Sequence, residues 1–405
     1  MTIYYRIAQI CKSRQYLTNW SVGTEISLKI RFALLLGEGA SGINCFATSS
    51  LQRESRLELG LYTLSDLSLN AGPNNGVDAE TRIADTIKAA QLADQAELNV
   101  FGIGEHHRLD FAVPSPAVVL ASIAQATQQI RLTSAVTVLS AADPVRVYED
   151  FAVLDLVSHG RAEIMVGRGV FTEPFPLFGF DLRDYDELFT EKLELLRALN
   201  KEAHVSWHGQ FRSPLNNAEI APRPHQKQLP IWIAVGGSPE SAVRAGALGL
   251  PMALAVLGGS VSRIAEIVEL YRDAGRRAGH PESKLKISIN SHTHIGLTPE
   301  NARDMFFPYY QRYLGRSLPN SGRRPTVSKS DFGSMTSPGS ALLVGSAEEI
   351  SEKILQEYEL VHHDRFLAQI DIGGLPFREV ARVIELYGTR VAPIVRKAVR
   401  QMEAS

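Results

Sequence analysis

The amino-acid sequence predicts an α/β protein: a TIM-like (β/α)8 barrel with insertions, preceded by a poorly structured N-terminal extension. From Leu57 onward, eight short apolar segments alternate with amphipathic segments of helical length. The apolar segments are continuous, which is typical of parallel strands covered on both faces. Eight such units over about 350 residues fit a barrel of this kind. A doubly wound open sheet is the alternative, but eight strands with a terminal helix close more naturally.

The predicted strands and helices follow one another in regular order. Ser238 and Pro239 form a typical helix start, an N-cap serine with proline at the first helical position. The predicted strands are Leu57–Tyr62, Val100–Gly104, Ile130–Leu139, Ala162–Val166, Ile231–Val235, Met252–Val256, Ile287–Ile295 and Phe366–Ile372. The predicted helices are Glu80–Ala96, Ala117–Gln128, Val145–Val157, Tyr185–Leu199, Pro239–Leu248, Val261–Ala278 and Ala347–His362.

Residues 1–56 differ from the rest of the chain, because they show no sustained helical or strand periodicity. Gly37–Gly42 matches the pattern G-x-G-x-x-G, but a dinucleotide site needs a helix directly after the third glycine. Asn44 and Thr48–Ser50 follow instead, and they do not begin one. We therefore interpret 1–56 as a dispensable extension, either disordered or a non-native start, and 57–405 as the barrel domain.

The composition excludes several classes of function. A net charge of −2, from 42 basic and 44 acidic residues, gives no long-range attraction to nucleic acid or an anionic membrane. No apolar run approaches the roughly 20 residues that span a bilayer. The two cysteines, Cys11 and Cys45, exclude a disulfide scaffold and a multi-cysteine zinc site. We expect a cytoplasmic enzyme that acts on a small molecule, without a nucleic-acid or membrane partner.

Two insertions interrupt the strand–helix pattern. Trp207–Pro224 falls within the fourth unit, and we expect it to form a short hairpin near the barrel mouth. Leu314–Gly345 is rich in Ser, Pro, Gly and Arg. Long loops in compact domains serve as lids or are simply flexible, and both interpretations stay open for this segment.

Two turns at the carboxyl ends of strands predict an anion site. Gly167–Gly169 follows the fourth strand, and Arg168 at its centre offers a planar fork to an oxyanion such as phosphate. Gly236–Ser241 follows the fifth strand, with free backbone N–H groups and two hydroxyls at a helix N-terminus. Together these turns predict a phosphate clamp at the top of the barrel. The alternatives are a tight turn whose arginine binds a nearby carboxylate, and an ordinary capped turn.

Histidines occur at two further strand ends. Glu105–His107 follows the second strand, and an imidazole there would suit acid–base chemistry, although a packed or surface histidine is the alternative. His292 and His294 lie on one face of the seventh strand at the spacing of a metal-binding pair. Asp371 is the best candidate for a third ligand. No set of bridging carboxylates accompanies them, so we favour barrel-interior histidines near a ligand over a metal site.

A set of short motifs is spread from about Leu57 to Ala392, and each motif alone is weak. In combination they resemble the bacterial-luciferase-like flavin monooxygenases, in the FMN-dependent branch. Residues 1–56 have no counterpart in that family. The motifs are Glu105–His107, Ala142–Asp150, Leu154–Asp155, Ser158–Arg161, Gly167–Gly169, Phe175–Gly179, Ala221–Pro224, Pro230–Ala234 and Gly237–Ser241.

The resemblance implies that FMN binds at the carboxyl-terminal rim of the barrel. The third strand would pass beneath the isoalloxazine ring, often with a non-proline cis peptide bond. The turns after the fourth and fifth strands would hold the phosphate. The positions that match are Ala135 and Val136 beneath the ring, and Arg168, Gly237, Ser238 and Ser241 at the phosphate.

The resemblance also assigns roles to residues around these turns. His106 matches the family's catalytic histidine. From the extended chain itself, we expect Glu105 or a backbone carbonyl to fix its tautomer, and His107, on the other side, to be structural. Asp186 stands where the luciferases carry a further phosphate-binding arginine, and Arg183 lies nearby but out of register. We therefore expect weaker binding of FMN than in those relatives.

The implied mechanism has two protein components. A separate NAD(P)H-dependent flavin reductase supplies reduced FMN, which reacts with O2 to oxygenate an aldehyde, a ketone or a similar small molecule. The implied assembly is a homodimer packed through Ala117–Gln128 and Val145–Val157. The alternatives are a relative that uses the deazaflavin F420 for hydride transfer, a metal-dependent hydrolase built on His292 and His294, and a non-catalytic flavin-binding protein.

Overall fold

Eight parallel strands form a closed barrel in the computed structural model, which describes residues 57–67, 77–258, 261–315 and 327–404. The last strand of the ring pairs with the first, with Arg365 opposite Glu58 and Gln369 opposite Tyr62, so the sheet has closed on itself. The predicted TIM-like barrel is confirmed. In ring order the strands are β1 (Glu58–Thr63), β2 (Val100–Ile103), β3 (Arg131–Ser134), β5 (Ala162–Gly167), β8 (Ile231–Val235), β9 (Met252–Val256), β10 (Ile287–Ile295) and β12 (Arg365–Gln369).

Four short strands lie outside this ring order. β4 (Thr137–Val138) follows β3 and pairs with β5, so the third barrel strand is interrupted at Ala135 and Val136. β6 (His204–Trp207) and β7 (Leu215–Glu219) form an antiparallel hairpin, as predicted, although it begins before Trp207. β11 (Leu343–Gly345) pairs with the carboxyl-terminal end of β10.

Helices follow the strands and cover the barrel. The predicted helices are present with bounds shifted by a few residues at most. The helices are α1 (Ala79–Gln95), α2 (Pro116–Ala126), α3 (Pro144–Val157), α4 (Pro174–Leu177), α5 (Tyr185–Lys201), α6 (Pro239–Ala247), α7 (Val261–Arg277), α8 (Pro299–Leu314), α9 (Lys329–Met335), α10 (Ala347–Val361), α11 (Phe377–Leu386) and α12 (Ala392–Ala404).

The sequence pattern did not place α8 and α9. α8 carries Pro308 in its interior, which removes one backbone donor and obscures the helical signal. Its start is nevertheless well formed, because the Thr298 side chain accepts a hydrogen bond from the Asn301 N–H at 3.2 Å. α9 lies inside the Leu314–Gly345 insertion, so part of that insertion is ordered structure.

Some predictions concern residues outside the described ranges. They are the expected disorder and dispensability of 1–56, the G-x-G-x-x-G match at Gly37–Gly42, and the part of the expected lid or flexible loop that falls on residues 316–326. Within the described ranges, no helix is both long and apolar enough to cross a bilayer.

The hydrophobic core has two parts. The larger part lies between the outer face of the strands and the helices. The smaller part fills the barrel interior, where Met165 and Trp232 are 1% and 3% exposed. Its members are Tyr62, Val100, Ala135, Met165, Trp232, Ala253 and Leu367. This apolar layer separates the two ends of the barrel.

The amino-terminal end of the barrel is closed by buried charges. The guanidinium group of Arg365, 1% exposed, donates to both carboxylate oxygens of Glu163 at 2.7 and 3.1 Å. Its Nε donates to Glu58 Oε2 at 2.8 Å, and Arg131 contacts both Glu58 and Glu163. Arg365 also lies 4.2 Å from the ring centroid of Trp232. The network joins β12, β5, β1 and β3 at the base of the barrel.

The charge state of Glu163 follows from this arrangement. Burial by itself raises the pKa of a carboxyl group, but Arg365 and Arg131 hold the pKa of Glu163 below its ordinary value of 4.5. Because the folded-state pKa is the lower one, the stabilisation is complete above about pH 4.5 and is lost as the pH falls through the folded-state pKa.

We predict that Glu163→Gln lowers the free energy of unfolding by roughly 3 kcal/mol, because it leaves a buried guanidinium group without its bidentate partner. Urea denaturation at pH 7 measures this change. The variant should also lose stability less steeply than the parent below pH 4.5. Glu266→Gln, on the exposed face of α7, is the matched control and should change little. A loss below 1 kcal/mol would contradict a stabilising role for the pair.

Candidate active site

The turns after β5 and β8 meet at the carboxyl-terminal rim, as the sequence predicted. Arg168 Nη2 donates to Ser241 Oγ at 2.9 Å, and its Nη1 donates to Asp186 Oδ1 at 2.5 Å. The guanidinium carbon lies 5.0 Å from the ring centroid of Tyr185, whose hydroxyl donates to the Gly169 carbonyl at 2.9 Å. Arg168 is thus held from three sides at the mouth of the barrel. The alternative of an arginine bound to a nearby carboxylate is also realised here.

The turn after β8 presents open backbone. Gly237 has φ +92°, and a Cβ at Gly236 or Gly237 would meet no atom within 4 Å. Ser238 caps α6, because its Oγ accepts the Ser241 N–H at 3.3 Å and donates to Glu240 Oε2 at 2.8 Å. A ligand can therefore approach the main chain of this turn closely.

Two further arginines lie at this site, and the sequence analysis did not identify them. Arg244 Nη2 lies 3.5 Å from Asp186 Oδ1, the oxygen that also accepts from Arg168. Arg263 Nη2 donates to the Gly237 carbonyl at 3.4 Å. Arg244 follows Ser241 by three residues, so helical spacing alone would have placed both on one face of α6.

Small residues surround the interruption of the third strand. The peptide bond between Ala135 and Val136 is cis, at the position that the sequence analysis specified. A Cβ added to Gly102 would lie 3.0 Å from the Cβ atoms of both Ala135 and Tyr62. A Cβ on Gly167 would lie 2.9 Å from Val136 Cγ2. A side chain at either glycine would collide with the interrupted strand. The two glycines therefore leave space beside Ala135 and Val136.

His106 lies in an aromatic pocket. Its ring centroid is 4.1 Å from that of Phe111 and 5.1 Å from that of Phe171. The backbone N–H of His106 donates to the Val113 carbonyl at 3.1 Å, which fixes the chain after β2. Phe171 belongs to the same loop as Arg168, so one loop contributes to both the aromatic pocket and the arginine clamp.

Glu105 or a backbone carbonyl was expected to orient His106, and the Glu105 carboxylate is bound by other groups. Glu105 Oε1 lies 2.9 Å from His107 Nε2, and Glu105 Oε2 accepts the Val138 N–H at 3.0 Å. The physical reason is the extended backbone, in which residues two apart project to the same side and their neighbour to the other. His107 also packs edge-on against Phe178 at 5.0 Å. His107 thus supports the Glu105 carboxylate, which ties the end of β2 to β4 through the Val138 N–H.

The two histidines of β10 are buried in the structure, at 2% and 3% exposure for His292 and His294. Burial lowers the pKa of each to about 4, so both imidazoles are neutral near pH 7. His294 stacks on Phe306 with centroids 5.0 Å apart. Asp371 accepts a hydrogen bond from the Thr63 hydroxyl. Among the described residues, no group of three or more His, Cys, Asp or Glu side chains is placed to hold a metal ion.

His292 belongs to a polar row across three strands. It lies opposite Gln369 of β12, which in turn lies opposite Tyr62 of β1. The Tyr62 hydroxyl donates to Gln369 Oε1 at 2.8 Å. Neither ring nitrogen of His292 nor the amide nitrogen of Gln369 has a hydrogen-bond partner among the described residues. Buried polar atoms are usually paired, so this row presents donors for a bound molecule.

The luciferase-like monooxygenase family profile matches residues 59–364. The chain belongs to this family, and it is therefore an oxidoreductase. The alkanal monooxygenase alpha chain of the Kryptophanaron alfredi symbiont is 25% identical over 245 residues, which are 59% of this chain and 68% of that protein. The resemblance of the motifs to this family is thus confirmed.

Solved structures show the same fold. One is the oxygenating constituent of 3,6-diketocamphane monooxygenase from the CAM plasmid of Pseudomonas putida, a type II Baeyer–Villiger monooxygenase in complex with FMN. Its TM-score to this protein is 0.65 at 18% sequence identity, and the match covers 84% of this chain and 98% of that chain. An F420-dependent secondary alcohol dehydrogenase has a TM-score of 0.66 at 16% identity, covering 84% and 99%. At these identities the likeness concerns the fold alone.

We predict that the buried neutral His292 makes stability depend on pH. Its folded-state pKa of about 4 lies below the ordinary 6.5, so the unfolded chain binds the proton first and stability falls as the pH drops below 6.5. His292→Leu should flatten this slope between pH 6.5 and 4 in urea denaturation. His204→Leu, at an exposed position of β6, is the control. An unchanged slope in His292→Leu would contradict the buried neutral state.

Proposed function

We propose that this protein is the oxygenating component of a two-component, FMN-dependent monooxygenase that acts on a small carbonyl compound. The observation that carries the proposal is the clamp of Arg168 and Ser241 at the rim, in a chain of this family. Reduced FMN would come from a separate NAD(P)H-dependent reductase, and O2 would be the second substrate. The relative named above is an alkanal monooxygenase, and the fold neighbour in complex with FMN is an oxygenating constituent.

The residues at the rim fit a phosphate group. Arg168 and Ser241 offer N–H and O–H donors, and the backbone at Gly236 and Gly237 has open space where a Cβ would otherwise stand. A phosphate near the first turn of α6 would also meet the positive end of the helix dipole. We propose that Arg168, Gly237, Ser238 and Ser241 bind the FMN phosphate.

The interrupted third strand fits a flat ring. Ala135 and Val136 are small, and Gly102 and Gly167 beside them carry no side chain. We propose that the isoalloxazine ring lies over Ala135 and Val136. When bound there, reduced FMN supplies the electrons that activate O2.

His106 is proposed as the residue that handles a proton at the site. It follows β2 at the carboxyl-terminal end of the barrel, where barrel enzymes place their catalytic groups. Phe111 and Phe171 pack against its ring, so they shield part of the imidazole from water and restrict its orientation.

The polar row bears on the substrate class. The His292 imidazole and the Gln369 amide group offer N–H donors without a charge, since the His292 pKa is about 4. Such donors suit the oxygen atom of an uncharged carbonyl compound rather than an anion. We propose that an aldehyde or a ketone binds with its oxygen toward this row.

The outer surface supports the proposed homodimer. Val118 on α2 is 67% exposed, and Val153 and Leu156 on α3 are 46% and 41% exposed. The helices α2 and α3 pack side by side, so these apolar side chains lie on neighbouring elements. We propose that a second copy covers them, in the cytoplasm.

The proposed cofactor is tested by mixing the purified protein with reduced FMN or reduced F420 under anaerobic conditions and measuring binding of each. Air and a panel of straight-chain aldehydes and ketones are then added, and oxygenated product is measured by mass spectrometry. Binding of FMN and formation of product support the proposal. Binding of F420 without FMN, or O2 consumption that no carbonyl compound alters, would contradict it.

We predict that Arg168→Ala weakens FMN binding by on the order of 2 kcal/mol, because the variant loses a charge-assisted contact to phosphate. Titration calorimetry measures the change. Riboflavin lacks the phosphate, so its affinity should be the same for parent and variant. Equal FMN affinity of parent and variant would contradict the placement of the phosphate.

We predict that His106→Ala leaves FMN binding nearly intact and lowers turnover by roughly 10²–10⁴, the usual contribution of a general acid or base. His107→Ala should mainly reduce stability, because it removes one partner of the Glu105 carboxylate, whose other oxygen ties the end of β2 to β4. Turnover of both variants at saturating reduced FMN is the measurement. If His107→Ala damages chemistry more than His106→Ala, the assignment is wrong.

A further inference from the structure

Arg168, at the centre of the proposed phosphate site, is already paired with a carboxylate of the protein. Asp186 Oδ1 accepts from Arg168 Nη1 at 2.5 Å and lies 3.5 Å from Arg244 Nη2. We propose that Asp186 is a built-in competitor of the cofactor phosphate, which makes FMN binding weak and readily reversible. This inference rests on the proposed function, because it takes the clamp to be the site of the FMN phosphate.

The competition follows from the donors available. Asp186 takes one N–H of Arg168 Nη1 and Ser241 takes one of Nη2. A phosphate that binds the N–H held by Asp186 displaces the carboxylate, and a phosphate on the remaining N–H groups lies next to its negative charge. Arg244 faces the same carboxylate oxygen. The Ser238 hydroxyl donates to a second carboxylate, that of Glu240, at 2.8 Å. Arg168, Arg244 and Ser238 thus each engage a protein carboxylate in the structure.

The backbone of Asp186 is held in place beside the arginines. It lies in the first turn of α5, and its carbonyl accepts a hydrogen bond from the Thr190 hydroxyl at 2.8 Å. The preceding residue, Tyr185, is fixed by its own bond to the Gly169 carbonyl. A rotation of the side chain can free Arg168, but the negative charge stays close to an incoming phosphate and repels it.

A positioning role for Asp186 would have the opposite consequence. If the carboxylate mainly held Arg168 in place, its removal would weaken phosphate binding. Arg168 already has two other supports, the 2.9 Å bond to Ser241 and the packing on Tyr185 at 5.0 Å. Asp186 is 56% exposed at its side chain, which is poorly suited to a rigid brace. Competition is therefore the effect that the geometry favours.

Weak binding has a use in the proposed reaction. A component that receives reduced flavin by diffusion must also release the oxidised flavin after each turnover. When the phosphate leaves, the Asp186 carboxylate can pair with Arg168 and Arg244 again, so the arginines keep a hydrogen-bond partner without the cofactor. Asp186 would then lower the affinity for both redox forms, because the phosphate does not change with oxidation.

The experiment compares the parent, Asp186→Asn and Glu187→Gln in titrations with oxidised FMN and with riboflavin. Glu187→Gln is the matched control, since it removes one exposed negative charge from the same helical turn without touching the arginines. We expect the Kd for FMN to fall about tenfold in Asp186→Asn, to change less than twofold in Glu187→Gln, and the Kd for riboflavin to stay the same in all three. Asp186→Ser should reproduce the gain.

Two results would overturn the inference. One is an FMN affinity in Asp186→Asn and Asp186→Ser that is equal to or lower than that of the parent, which would assign Asp186 a positioning role. The other is an equal gain with riboflavin, which would remove the phosphate from the explanation. Circular dichroism of each variant is the control that tests whether the fold is retained.

A failure of the proposed function is visible separately. If the parent and both Asp186 variants bind neither FMN nor riboflavin, the assignment of the cofactor is wrong. Inorganic phosphate then tests the competition directly. At equal ionic strength, phosphate in place of chloride should raise the melting temperature of Asp186→Asn more than that of the parent or Glu187→Gln, and an equal rise in all three would overturn the inference.

Discussion

The buried guanidinium of Arg365 is the contact on which the barrel depends. It sits where the last strand meets the first, and it is bonded to Glu58 of β1 and to Glu163 of β5 across the interior. Glu58 and Arg365 lie opposite each other in the register of the two strands, and their ion pair favours that register. Because side chains repeat every two residues, this register also places Tyr62 and Gln369 side by side at the opposite end. The base of the barrel thus determines which groups reach the site.

Closure also determines which loops meet. β5 and β8 are neighbours in the ring, with Ile164 opposite Ile231, so the loops that follow them emerge side by side. Arg168 and Ser241 are 73 positions apart in the chain, yet they form a 2.9 Å hydrogen bond for this reason. The apolar layer around Met165 lies between these loops and the charged base. Charges at the two ends are therefore separated by a layer of buried apolar side chains.

The sequence was sufficient for the features that repeat or stand next to a strand end. Continuous apolar segments predicted the eight strands, and the turns that carry Arg168 and Ser238 were expected to lie together at the rim, where Arg168 bonds Ser241. The sequence was insufficient where a contact depends on how far a loop or helix reaches. Asp186 was compared with a family position, but its approach to Arg244 depends on how α5 begins after α4. Glu105 was one of two candidates to orient His106, yet it bonds His107, because residues two apart in an extended segment project to the same side.

The two ion-pair clusters show how burial decides what the same side chains do. At the base, Arg365 and Glu163 are 1% and 3% exposed, and two arginines balance two carboxylates, so each buried charge has a partner of opposite sign. At the rim, Arg168 and Asp186 are 26% and 56% exposed, and Arg168 and Arg244 share the Asp186 carboxylate. Water screens the rim pair and weakens it, and a phosphate with its larger charge can replace the carboxylate. A bidentate pair locked in the interior therefore closes the barrel, while a similar pair at the surface stays exchangeable and can serve binding.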